Sequence, residues 1–369
     1  MTSLLTILFR SQNSFTKKIL ALAIISLSQF SCSTPDKTNK IIIASAGKIE
    51  SLDPAQANTI RSLQLISGLG DPLYRINSQG LLQPVLAKKL PEVSENGLTL
   101  DIHLRENVFF HDGTKFTADA MAFSLRRFMK IGTQSYVIGG RIKHVKAPSK
   151  YLLRLYLNKP SSSINGLLTS INLTPVSPKA YSNHQDNFLN KNFIGTGPYM
   201  LTNFQPEKQS IEPFPNYWGV VPKNLGIDYI NFSNSSSLFG AIKNGEVDLL
   251  LSNSIEDIQR AALNRMADKG TLLMGEGPAM EMGYITLNSN SIPFNNPLIR
   301  KAISYSLNRE LITSKASYGL REPLRSIIPP ILKKKEPSPW PKYKPQIVRN
   351  LLKKEGYCMG KVLTIPLTF

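Results

Sequence analysis

The chain is poor in cysteine, in histidine and in acid. Its 369 residues hold two cysteines, four histidines and 25 acidic residues against 44 lysines and arginines. Two cysteines far apart supply no disulfide framework, so stability has to come from a buried core. The histidines, His103, His111, His144 and His184, show no HExxH-type spacing, which leaves a dedicated metal site without support and no cofactor expected. A Gly-x-Ser-x-Gly elbow and a phosphate loop ending in Gly-Lys-Ser/Thr are both missing, and no nucleophile stands beside a plausible base, so an enzyme is not expected. Repeats of roughly 20–50 residues are absent, and beyond Phe30 no apolar run reaches the roughly 18 residues a spanning helix requires.

The formal charge is +19; residues 1–31 hold three of the cations and no acid, so +16 remains without them. Such a charge attracts phosphates or anionic membrane surfaces. The cations are scattered, however, Lys333-Lys334-Lys335 being the one run, and no nucleic-acid-binding motif accompanies them. Nucleic acid is therefore not an expected partner. The hydrophobic content of 41% suits a globular protein with two or three compact units.

Arg10, Lys17 and Lys18 precede the apolar run Ile19 to Phe30, the arrangement of a signal peptide over residues 1–31. Cys32 follows at once, where a lipoprotein signal places the cysteine that becomes lipidated, although Gln29 rather than a leucine lies three residues before it. Cys32 is thus the expected lipid anchor, residues 32–40 the tether, and Cys358 an unpaired thiol.

The most closely specified stretch runs from Gly97 to Met129, GLTLDIHLRENVFFHDGTKFTADAMAFSLRRFM. Leu98, Leu100, Ile102 and Leu104 alternate with polar residues as in a half-buried strand, and Val108 to His111 reads as its partner. Asp112-Gly113 is a turn dipeptide, and Thr117 caps a helix with Asp119 in its first turn and Arg126-Arg127 at its end. Elsewhere strands and helices alternate. Strands are expected at Ile41–Ala44, Tyr151–Leu157, Ile227–Phe232 and Val247–Leu251, and helices at Ser62–Leu69, Ser236–Asn244, from Ser254 to about Met266, from Pro297 to about Leu307 and at Lys344–Glu355. This order predicts an α/β protein with mixed sheets.

The Gly97–Met129 unit resembles the signature of the family 5 extracellular solute-binding proteins, the peptide and nickel receptors of ABC importers. Further blocks follow in that family's order: Ser51-Leu52-Asp53-Pro54, Pro84-Val85-Leu86-Ala87, Ile194-Gly195-Thr196-Gly197-Pro198-Tyr199, Asn216-Tyr217-Trp218, Gly245-Glu246-Val247-Asp248 and Asn288 to Arg309. The resemblance implies a periplasmic-binding-protein-like fold of class II, two lobes with an inserted α/β domain. Lobe I would comprise residues 41–77 and 192–276, domain II residues 78–191, and lobe III residues 277–369, incomplete because members of the family run on well beyond the position of Phe369. Ligand would be enclosed between lobes I and III by hinge closure.

The resemblance also implies a monomeric binding protein, periplasmic or on the extracellular face of the cell membrane to which Cys32 would tether it, that captures an oligopeptide or dipeptide and passes it to an ABC permease. A nickel chelate, haem or another small solute is the alternative ligand, and a truncated, non-transporting surface lipoprotein the alternative role. Asn58, Thr59 and Ile60, just beyond Leu52-Asp53-Pro54, would wall the cleft; their plainer reading is a solvated loop. Tyr136 falls near an aromatic that caps the ligand in the family, with core packing as the competing reading. His111 and Asp112 are expected to shape a turn and pin the helix cap, Trp218 to sit in the core, and Arg126 and Arg127 to form a solvated helix end.

Overall fold

The computed structural model describes residues 40–184, 187–251, 254–275, 283–324, 326 and 340–357. The candidate anchor Cys32, the signal segment and Cys358 lie outside them.

Strand β1 (Ile41–Ala46) is apolar on both faces and lies inside a sheet. It pairs in parallel with β10 (Ile227–Phe232) on one side and β11 (Leu249–Leu250) on the other. Strands β9 (Lys208–Pro213) and β8 (Tyr199–Phe204) extend it antiparallel, giving the order β11-β1-β10-β9-β8. A helix at Ser235–Lys243, capped by the Asn234 side chain, crosses from β10 over β1 to β11, a step that only parallel strands require. Helix α1 (Ile60–Leu69) buries Leu65, Ile66 and Leu69 beside Ile211 and Phe193. It starts two residues earlier than the sequence pattern indicates, because the Thr59 hydroxyl accepts the Ser62 amide as an N-cap.

Strands β2 (Tyr74–Ile76) and β3 (Leu82–Pro84) form a separate antiparallel pair. A four-stranded sheet has the antiparallel order β4-β5-β7-β6, from Glu92–Val93, Thr99–His103, Leu152–Leu157 and Ile142–Ser149. Its inner face, with Leu100, Ile102, Leu153 and Leu155, packs on α2 (Ala118–Ile131), whose Met121, Ala122, Leu125 and Phe128 are buried. Thr117 caps α2 by accepting the Ala120 amide, and the helix runs one turn past Arg127.

Val108–His111 is not the partner strand of β5. Both edges of β5 are occupied, by β4 and β7, so the segment instead folds back on itself. Phe110 N donates to Thr114 O and Phe116 N to Val108 O, while Val108, Phe110 and Phe116 are driven into the core. Past Leu250 the described residues form helices only: Asp257–Asp268, closed by a Glu256–Gln259 capping box rather than by Ser254, then Pro297–Ser306, Arg309–Ala316 and Pro345–Lys354. The Pro345–Lys354 helix packs on Pro297–Ser306 across the buried Ile299 and Ala302.

Candidate functional site

The loop between β1 and α1 is held from below and left open above. Asp53 is fully buried and both its oxygens are occupied. Oδ1 accepts Ala55 N at 3.0 Å and Arg127 Nη1 at 2.8 Å; Oδ2 accepts Arg127 Nη2 at 2.6 Å and Leu189 N at 2.8 Å. Arg127, 5% exposed, also donates from Nε to His184 O and from Nη2 to Asn187 O, both at 2.8 Å, and lies 5.1 Å from the Tyr181 ring centre. It is therefore a buried ion-pair partner and not a solvated helix end. Arg126 is exposed, with Nη1 bonded to Val145 O. The Asn172 amide nitrogen donates to Pro54 O at 2.8 Å and Ala57 O at 2.7 Å, and Thr133 N donates to Ala55 O at 2.8 Å.

Above this anchorage Asn58 is exposed, Thr59 half-buried and Ile60 47% exposed. The Thr59 hydroxyl is spent on Ser62, as acceptor from its N and donor to its Oγ. Among the described residues no hydrogen bond engages the Asn58 side chain, so its amide is free to take a polar ligand. Tyr136, 77% exposed, is not core. The Thr133–Ala55 bond ties the segment that precedes Tyr136 to the loop that precedes Asn58.

His111 and Asp112 tie their turn to neighbouring segments. His111 N donates to Gly195 O at 2.9 Å, its Nε2 lies 3.1 Å from Gly197 O, and its ring meets Phe214 edge-on at 5.0 Å. Burial pushes the imidazole down to about 4, so it is neutral at pH 7. Asp112 accepts Thr114 N at 3.0 Å and Oγ1 at 2.6 Å, shaping the turn at Gly113 (φ 79°), and Ser177 Oγ at 2.5 Å. Burial opposes its charge, but the Ser177 and Thr114 bonds outweigh that and hold the carboxyl below its usual range. The helix cap is left to Thr117. Gly197 needs its missing side chain, since a Cβ there would stand 2.4 Å from Gly70 N and Leu69 C. The Gly195–Tyr199 turn thus lies flat against the end of α1.

Sequence reasoning missed Asp71. Trp218 Nε1 donates to it at 2.8 Å and Tyr217 OH at 3.3 Å, so Trp218, half-buried against the core, also serves this carboxylate. Burial raises Asp71 to about 6 despite those bonds and nearby Arg75. A cleft of about 330 Å³ beside it is lined by Gly70, Asp71, Arg75, Val85 and Thr169; another of about 410 Å³ at the start of α2 is lined by Thr114, Lys115, Thr117 and Lys179. Neither contains Asn58 or Tyr136. Among the described residues no cluster of His, Cys, Asp or Glu could hold a metal ion.

A mixed five-stranded sheet and an antiparallel four-stranded one, with helices packed on them and this buried anchorage between them, form a periplasmic-binding-protein fold. The chain belongs to the bacterial extracellular solute-binding proteins, family 5, whose middle region matches residues 82–368. It is 28% identical over 352 residues to the glutathione-binding protein GsiB of Escherichia coli K12, covering 94% of this chain and 67% of that protein. The dipeptide-binding protein of Pseudoalteromonas sp. SM9913, solved with Met-Leu, superposes with a TM-score of 0.77 at 22% identity, over 86% of this chain and 67% of its own. DppA of Helicobacter pylori, solved with the peptide STSA, gives 0.74 at 23% identity, over 86% and 66%. The chain spans about two thirds of the length of these relatives.

Proposed function

We propose that the chain is the substrate-binding subunit of an ABC importer, exported, anchored through Cys32, and built to capture peptides for a membrane permease. Membership of family 5 carries this reading. The ligands named for GsiB, DppA and the Pseudoalteromonas protein, glutathione, STSA and Met-Leu, share a peptide main chain, which makes a short peptide or glutathione the leading solute class. On this reading the exposed Asn58 amide hydrogen-bonds the peptide main chain while Ile60 and Tyr136 cover its side chains. Part of the ligand's binding free energy goes into closing the lobes, so affinity depends on how much of the closed arrangement the protein already populates.

A thermal-shift screen of the lipid-free chain tests it, with mixed di- to pentapeptides, glutathione, nickel–histidine and haem as probes. A ligand at 100 times its Kd adds roughly 2.7 kcal/mol of stability and raises the melting temperature accordingly. Peptides or glutathione are expected to do so; a shift from nickel–histidine or haem alone would reassign the solute. No shift from any probe would sink the transport reading.

A further inference from the structure

We infer that Asn172 and Arg127 are positioning residues for the ligand-contacting loop, holding Asn58 in place without reaching the ligand themselves. The inference rests on the reading of Asn58–Ile60 as cleft wall. Residues 54–58 adopt no helix or strand, so no regular ladder fixes their course. Their main-chain groups are instead bonded one by one. Gln56 N and Ala57 N donate to Asp53 O at 2.9 and 2.8 Å, and Ala55 N to Asp53 Oδ1 at 3.0 Å. The carbonyls of Pro54 and Ala57 converge on a single amide nitrogen, that of Asn172, which is buried in the short turn Ile171–Leu173. One nitrogen serving two carbonyls three residues apart sets the chord of the loop. Asp53, from which the turn springs, is in turn oriented by the fork of Arg127.

Asn58 follows Ala57, whose N and O are both bonded, and precedes Thr59, which caps α1. It therefore sits between two fixed points, one of them set by helix α2 and the Ile171–Leu173 turn. A side chain held this way enters a complex with its ordering entropy already spent, which is what preorganisation contributes to affinity. Lysine at 127 would keep the charge but lose the fork, and alanine at 172 would release both carbonyls.

The test uses Asn172→Ala and Arg127→Lys, with Leu155→Ala as a control that destabilises the same domain from a buried position on β7. Calorimetric titration with the best peptide probe, well below each melting temperature, should show affinity about tenfold weaker or worse in the first two, since apparent affinity falls with the competent fraction. Leu155→Ala should bind as wild type does even when its melting temperature falls as far. Amide exchange without ligand should quicken at Ala55, Gln56 and Ala57 in Asn172→Ala and Arg127→Lys alone. Wild-type affinity and wild-type exchange in both variants would overturn the inference, as would equal weakening in Leu155→Ala. If wild type binds no probe, the peptide reading fails and exchange alone decides the positioning.

Discussion

The region around Asp53 and the open face of the four-stranded sheet each hold a forked arginine–carboxylate pair, in sharply different surroundings. Arg127–Asp53 bonds at 2.8 and 2.6 Å with side chains 3% and 0% exposed; Arg154–Asp101 bonds at 2.6 and 2.5 Å with 35% and 21% exposed. Geometry alone does not separate them. Asp53 has spent every lone-pair direction on Arg127, Ala55 and Leu189, whereas Asp101 keeps water as an alternative partner. A buried pair adds little net stability over an apolar replacement but is ruinous to break, because the survivor is stranded; an exposed pair can be broken almost freely. The first pair consequently organises a loop, and the second decorates a surface.

Breaking the buried pair should have the largest effect. Arg127→Ala removes the counter-ion of the buried Asp53 and is expected to cost about 3–5 kcal/mol in equilibrium denaturation; a loss below about 1 kcal/mol would show that the two pairs are alike.

Acid sharpens the contrast by probing two other buried groups with opposite signs. His111, lowered to about 4 from 6.5, is held neutral by the fold, so its contribution is complete above pH 6.5 and lost as pH falls toward 4. Asp71, raised to about 6 from 3.8, is penalised when ionised, so the fold gains stability as pH falls from 6 toward 3.8. Each is worth about 3 kcal/mol at most, and they oppose one another in the same window. Asp71→Asn should therefore lose about 2 kcal/mol more than wild type between pH 7 and pH 4. Denaturation midpoints at both pH values check this, and parallel acid losses would refute it.

The smallest effect is expected on the open face. Asp101→Asn should leave the denaturation midpoint within error of wild type at moderate salt, because solvent and screening replace the Arg154 fork. A loss comparable to that of Arg127→Ala would erase the distinction between the regions.

Elements whose instructions lie within a few residues were legible from the sequence. Thr117 before the apolar spacing of Met121, Leu125 and Phe128 marks α2, and Ile227–Phe232 is a strand with the boundaries its pattern indicates. Family membership was legible because its motif blocks occur in order. Val108–His111 misled because apolar alternation says that alternate side chains are buried but not which strand they lie against, and β5 had no free edge. Tyr136 gave no local sign of its exposure, and Asp71 none of its burial under Trp218.

By itself the sequence determined the periodicities, the helix cap at Thr117, the turn at Asp112-Gly113 and the family, since each depends on neighbours in the chain or on the order of blocks. Only the tertiary structure decided what Arg127 does. Its partner lies 74 residues away, and a charged residue at a helix end is solvated or buried according to what folds over it. The same holds for Asn172 and the loop that bears Asn58: the donor and the carbonyls it fixes are 118 and 115 residues apart, and only a packed core brings them within a hydrogen bond.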